Sequence, residues 1–189
     1  MKNIAIFASG SGSNARKILE YFAERKDVSV QLVISNRADA GVLKIAESFG
    51  VDSIVIDRHT FYETEDVVSV LNKYEVSLVV LAGFLWLIPE YLVEAFQGRV
   101  VNIHPALLPK YGGKGMHGKH VHEAVKKAGE AESGMTIHYV NERYDEGQII
   151  FQARCQLSPT DTPEDIAGKV LQLEHKHYAE VIDQLLQRF

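Results

Sequence analysis

Five short apolar runs, rich in β-branched residues and spread through the first hundred positions, constrain this chain more than any other feature. They are NIAIFA (3–8), VQLVIS (30–35), SIVI (53–56), SLVVLAG (77–83) and RVVNI (99–103). Each is nearly continuous rather than alternating, the pattern of a strand buried on both faces. The amphipathic stretches between them predict helices over Asn14–Arg25, Ala40–Phe49, Thr60–Tyr74 and Pro89–Phe96. Asp39 is placed to cap the second, Asp57 and Thr60 stand near the start of the third, and Pro89 suits a first helical turn. Strand–helix–strand alternation builds βαβ units, hence a parallel sheet with right-handed crossovers.

The pattern changes after residue 130. GMTIHYVN (134–141) and GQIIFQARCQL (147–157) predict two adjacent strands joined by a hairpin-type connection. A long helix follows over 162–186, with an apolar stripe through Ile166, Val170, Leu173, Val181 and Leu185, interrupted at His177. Asp161 or Thr162 can cap it, with Pro163 in its first turn. The expected fold class is α/β: a mostly parallel, Rossmann-like doubly wound sheet with antiparallel C-terminal strands and a long C-terminal helix. A chain of 189 residues suits one domain.

Composition excludes several function classes. A net charge of −5 offers no nucleic-acid footprint and no membrane-surface patch. No apolar run approaches the roughly 20 residues of a membrane span. The single cysteine, Cys155, forbids an internal disulfide, and Met1–Lys2–Asn3 leads straight into a strand without a secretory pattern, so a cytoplasmic location is expected.

Three segments carry chemistry. FASGSGSNAR (7–16) sets a Gly/Ser loop between the first strand and the first helix, where doubly wound sheets bind ligands. Gly10 and Gly12 allow close backbone approach, Ser11, Ser13 and Asn14 add polar groups, and the helix N-terminus offers free N–H groups. Ala15 stands where a dinucleotide fingerprint needs glycine, and no Lys–Ser/Thr pair makes a P-loop. A tight turn needing small residues or a cradle for a single phosphate remains, and the polar density favours the phosphate.

The second segment, NIHPALLPKYGG (102–113), puts Asn102 and His104 on one face at a strand's carboxyl end, where Pro105 stops the ladder. An amide there can donate to a developing oxyanion, and an imidazole can exchange a proton near neutral pH. A strand-end histidine bonded to a nearby carbonyl is the commoner arrangement. Asp145, in the connection between the last two strands, is placed to reach both and to raise the His104 pKa. The third segment, Phe84 to Pro89, is either core or one wall of a slot for a flat ligand. His117, His120 and His122, and His175 and His177, show no metal-site spacing and read as solvated.

Together with VISNRADAGVLKIAESFGV (33–51), LAGF (81–84), DEGQII (145–150) and LEHKHYAEVI (173–182), these segments cover nearly the whole chain. In that order they resemble the glycinamide ribonucleotide formyltransferases, a family of the folate formyltransferase superfamily. The resemblance implies formyl transfer from 10-formyltetrahydrofolate, as co-substrate, to the amine of glycinamide ribonucleotide in purine synthesis. The implied path is direct attack through a tetrahedral intermediate, without metal. It implies that Asn102 holds the oxyanion, His104 stabilises charge or relays protons, and Asp145 pairs with His104. The phosphate would lie on Gly10, Ser11, Gly12, Ser13 and Asn14, with Glu174 at the ribose or amine end. The folate would lie against Phe84, Leu85, Trp86, Leu87 and Ile88, and against Val140, Asn141 and Tyr144. Residues 1–100 then form roughly the phosphate-binding half and 101–189 the folate and catalytic half. Partners would be small molecules, with no nucleic acid or membrane, and the chain a monomer or homodimer.

Two departures stand out. Many relatives carry arginine where this chain has Trp86, so indole stacking is expected to replace an arginine contact. The loop 111–125 differs from the Pro-Gly form of some relatives and marks a subgroup. Rival readings are a methionyl-tRNA formyltransferase, disfavoured by length and charge, a formyltetrahydrofolate hydrolase, and a catalytically silent module on the same fold.

Overall fold

A computed structural model describes residues 1–188. The chain alternates as expected: β1 (Lys2–Phe7), α1 (Ser13–Phe22), β2 (Val28–Ser35), α2 (Gly41–Ser48), β3 (Asp52–Val55), α3 (Arg58–Tyr62), α4 (Asp66–Lys73), β4 (Val76–Leu81), α5 (Glu90–Ala95) and β5 (Val100–His104). Then come α6 (Lys119–Lys127), β6 (Glu132–Tyr139), β7 (Ile149–Gln156) and α7 (Pro163–Leu186). One sheet runs β3-β2-β1-β4-β5-β6-β7. Pairing is parallel from β3 to β5 and antiparallel for β5–β6 and β6–β7. Strand order reverses between β1 and β4, so the crevice of this fold opens beyond the carboxyl ends of those strands.

The continuous apolar runs make this geometry possible. β1 and β4 are buried on both faces, and their alternate residues feed two separate cores. Ile4, Ile6, Leu78 and Val80 pack with α1, α2 and α7, whereas Ala5, Phe7, Val79 and Leu81 pack with α3, α4 and α5. β3 departs from the expectation: as the edge strand its side chains are largely exposed, because only one neighbour covers it.

Local chemistry corrects three further expectations. The single helix over Thr60–Tyr74 is two helices, since Thr64 Oγ1 donates to the Thr60 carbonyl and accepts the Asp66 N–H, which closes one helix and opens the next. Asp57 caps α3, accepting the Thr60 N–H at 2.7 Å. Asp39 does not cap α2, because its carboxylate is taken by the Arg37 guanidinium at 3.0–3.1 Å. Pro89 is the N-cap of α5 rather than part of its first turn.

α7 starts as read: Thr162 and Asp165 form a reciprocal capping box with Pro163 just inside. Its register over the sheet is set by Tyr178, 1% exposed, whose hydroxyl donates to the Leu81 carbonyl at 2.8 Å. That bond pins α7 to the end of β4 and fixes Glu174, one turn earlier. Replacing Tyr178 with Phe removes this buried hydrogen bond, so urea denaturation is expected to show a loss of about 0.5–1.5 kcal/mol.

Candidate active site

Beyond the carboxyl ends of β1, β4 and β5 lies a cavity of about 720 Å³, within the range that holds small-molecule ligands. β5 brings Asn102 and His104 to its wall, two residues apart on one face as read from the sequence. The antiparallel register sets His138 of β6 directly opposite Asn102. His138 Nδ1 donates to the Tyr139 carbonyl at 2.8 Å, so its Nε2 accepts the Asn102 amide N–H at 3.1 Å. The second amide hydrogen of Asn102 is left for another acceptor.

Asp145 arrives from the β6–β7 connection, as expected. Its Oδ2 lies 3.5 Å from His104 Nδ1 and its Oδ1 3.6 Å from His138 Nε2, both longer than a hydrogen bond and ion pairs only when the imidazole is protonated. The Gly113 N–H donates to Oδ2 at 3.0 Å. His104 Nε2–H in turn donates to the Tyr111 carbonyl at 2.7 Å. Asp145 (φ +58°) and Tyr111 (φ +57°) are two of three non-glycine residues with left-handed backbone among those described. Such a conformation costs about 1–2 kcal/mol each, and here both strained residues contact His104. Gly147 completes the turn, because any side chain on it would overlap the Tyr139 carbonyl that holds His138.

Electrostatics reverses one expectation. Asp145 alone would raise the His104 pKa, but His104 is 4% exposed and burial, the larger effect, pulls it below 6.5. Burial pushes Asp145 upward, yet the two imidazoles and the Gly113 N–H together hold its carboxyl below the usual range. The resting state is therefore a neutral imidazole beside a carboxylate.

At the β1 turn, Gly12 is the N-cap of α1 with φ +81°, and a Cβ there would sit 2.8 Å from Val42. Gly12 is thus needed for the turn itself, whereas Gly10 faces open space. No side chain caps α1 and its first turn holds no acid. Gly10, Ser11, Gly12 and Ser13 lie outside the cavity lining, and only Asn14 reaches it. Asn14 Nδ2 donates to Glu174 Oε2 at 2.6 Å, and Glu174 also lines the cavity. Burial raises the Glu174 pKa, opposed by that hydrogen bond.

The remaining predicted residues, Phe84 to Ile88 with Val140, Asn141 and Tyr144, all line the same cavity. Phe84 packs edge-on against Phe7 and Phe61. Trp86 is less free than the sequence suggested, because the Arg58 guanidinium lies 5.0 Å over its ring. Among the described residues, no cluster of histidine, cysteine or acidic side chains is arranged to hold a metal.

His138 was missed, although alternation along TIHYVN and a register opposite β5 would have found it. His122 was misread as solvated: it is 6% exposed, lines the cavity from α6, and its Nδ1 has no partner. Burial, then the neighbouring His104, lowers its pKa from 6.5. For a histidine lowered in the fold, the unfolded chain takes up the proton first, so its contribution is intact above pH 6.5 and is lost as pH falls through the folded value. Urea denaturation at about pH 7 and pH 5.5 should show a smaller acid-induced loss in His122→Leu than in the parent chain.

Comparison with known proteins adds independent information. A family model described as formyl transferase matches residues 2–182. The phosphoribosylglycinamide formyltransferase, chloroplastic, of Arabidopsis thaliana is 44% identical over 192 residues, covering 98% of this chain and 66% of that protein. The chain thus spans about two thirds of its plant relatives' length. Phosphoribosylglycinamide formyltransferase of Bacillus subtilis (strain 168) is 37% identical, with 98% of this chain and 95% of that protein covered. The crystal structure of phosphoribosylglycinamide formyltransferase from Anaplasma phagocytophilum matches with a TM-score of 0.89 at 35% identity, covering 98% of this chain and 87% of that one.

Proposed function

The chain belongs to the formyl transferase family, and from that premise we propose that it transfers the formyl group of 10-formyltetrahydrofolate to the amine of glycinamide ribonucleotide. The products are formylglycinamide ribonucleotide and tetrahydrofolate, in purine synthesis. One observation carries the reading: Asn102, His104 and Asp145 share a cavity with the apolar Phe84–Ile88 wall and with the Asn14–Glu174 pair. A formyl donor lying on the apolar wall and an amine entering past Asn14 meet beside the catalytic trio. The Gly10–Asn14 loop, at the open N-terminus of α1, supplies the phosphate site. Residues 1–100 thus carry the phosphate loop together with the Phe84–Ile88 folate wall, and 101–189 the catalytic trio, the Val140–Tyr144 folate contacts and Glu174.

In this reading the amine attacks the formyl carbon, and the carbonyl oxygen becomes an oxyanion held by the free amide hydrogen of Asn102. The amine proton passes to His104 Nδ1, since Nε2 is committed to Tyr111. Burial keeps His104 neutral and ready to accept, and Asp145 stabilises the imidazolium once it forms. The proton then goes to N10 of the folate as the C–N10 bond breaks. A cytoplasmic location and a monomeric or dimeric state belong to the same reading, and the free Cys155 suits a reducing compartment. No helix among the described residues is long and apolar enough to cross a membrane.

Incubation with 10-formyltetrahydrofolate, with and without glycinamide ribonucleotide, tests the assignment. Tetrahydrofolate release should depend on the ribonucleotide, whereas equal release without it means a hydrolase. Asn102→Ala and His104→Ala should each lower turnover by about a hundredfold or more with the circular dichroism spectrum kept. Near-normal turnover in both would overturn their catalytic assignment, whereas a catalytically silent module would show no turnover in the parent chain. Ser13→Asp places a carboxylate beside the phosphate while suiting a helix N-terminus, and should raise KM for the ribonucleotide about tenfold with little change in kcat.

A further inference from the structure

A second cavity, of about 250 Å³, lies away from the first, between the loop after β5, the end of α6 and the outer strands β6 and β7. Its apolar surface comes from Leu107, Leu108 and Val125. Its charged groups come as two pairs: Lys110 Nζ with Glu130 Oε1 at 2.9 Å, and Arg154 with Glu132. Ser133 also lines it, 2% exposed, with a hydroxyl that has no hydrogen-bond partner. A buried hydroxyl without a partner is an exception that calls for a ligand or water.

The chemistry of this lining is mixed in a particular way. Two cations and two carboxylates balance, so neither a phosphate nor a polyamine is favoured. Both pairs are partly exposed, and exchanging such a pair for contacts to a ligand costs little. The volume is below that of sites for drug-sized ligands. We propose that this cavity is a binding site for a small aliphatic α-amino acid, whose side chain meets Leu107, Leu108 and Val125. Its carboxylate is met by Arg154 and Lys110, its ammonium by Glu130 and Glu132, and a polar atom reaches Ser133.

The site is joined to the catalytic wall through one residue. The Tyr111 hydroxyl donates to Glu130 at 2.7 Å, while the Tyr111 carbonyl accepts from His104 at 2.7 Å. An ammonium drawn to Glu130 competes with that hydroxyl, so occupancy is read at His104.

Isothermal titration of the full chain with L-leucine tests the site without relying on formyl transfer. Saturable binding is expected, weakened about tenfold or more by Glu130→Gln and by Arg154→Gln. 3-Methylbutylamine, which lacks the carboxylate, and 4-methylpentanoate, which lacks the ammonium, should each bind at least about tenfold more weakly. The His104 imidazole resonances should move on saturation. Absence of saturable binding means that Ser133 faces water only and overturns the proposal. So does leucine binding indifferent to both substitutions, equal binding of either analogue, or saturation that leaves His104 unmoved.

Discussion

The register of β6 against β5 is the constraint on which the site depends. Antiparallel pairing sets Asn102 opposite His138, so the amide that could turn several ways is held by one imidazole. A slip of one residue would send His138 to the other face and replace it with a neighbour of opposite orientation. The same pairing dictates where the chain leaves β6, and hence that Asp145 returns over the ends of both strands. Gly147 permits that return because the backbone passes too close to Tyr139 for any side chain. The parallel part of the sheet supplies a crevice, but the two added antiparallel strands furnish its chemistry.

Burial and charge then act in opposite directions on the same groups. A carboxylate beside His104 favours its imidazolium form, yet His104 is buried enough that desolvation outweighs the attraction. The imidazole is thereby kept neutral at rest while the group that stabilises its charged form stands 3.5 Å away. The cost of this arrangement is visible in the backbone, where Tyr111 and Asp145 adopt left-handed conformations that side chains disfavour.

Much of this was legible in the sequence. Continuous β-branched runs announced buried parallel strands, and the spacing of Asn102 and His104 placed both on one face before any pairing was known. What escaped was set by local side-chain competition at two places and by tertiary contacts at the others. Asp39 has the composition of a cap but is claimed by Arg37, and Thr64 splits a helix whose apolar periodicity runs straight through it. His122 resembles its solvated neighbours His117 and His120 in sequence, yet α6 turns it inward. The direction of the His104 shift depends on how deeply the fold buries the ring, which local pattern does not reveal. His138 alone was within reach, through strand alternation.

The central claim is that His104 rests as a neutral imidazole protonated on Nε2, with Nδ1 free to take a proton beside Asp145. Nitrogen-15 NMR of the imidazole across the acid-to-neutral range measures both the tautomer and the titration directly. The account predicts an Nε2-protonated ring that titrates below 6.5. A ring protonated on Nδ1 when neutral, or one titrating above that value, would contradict it.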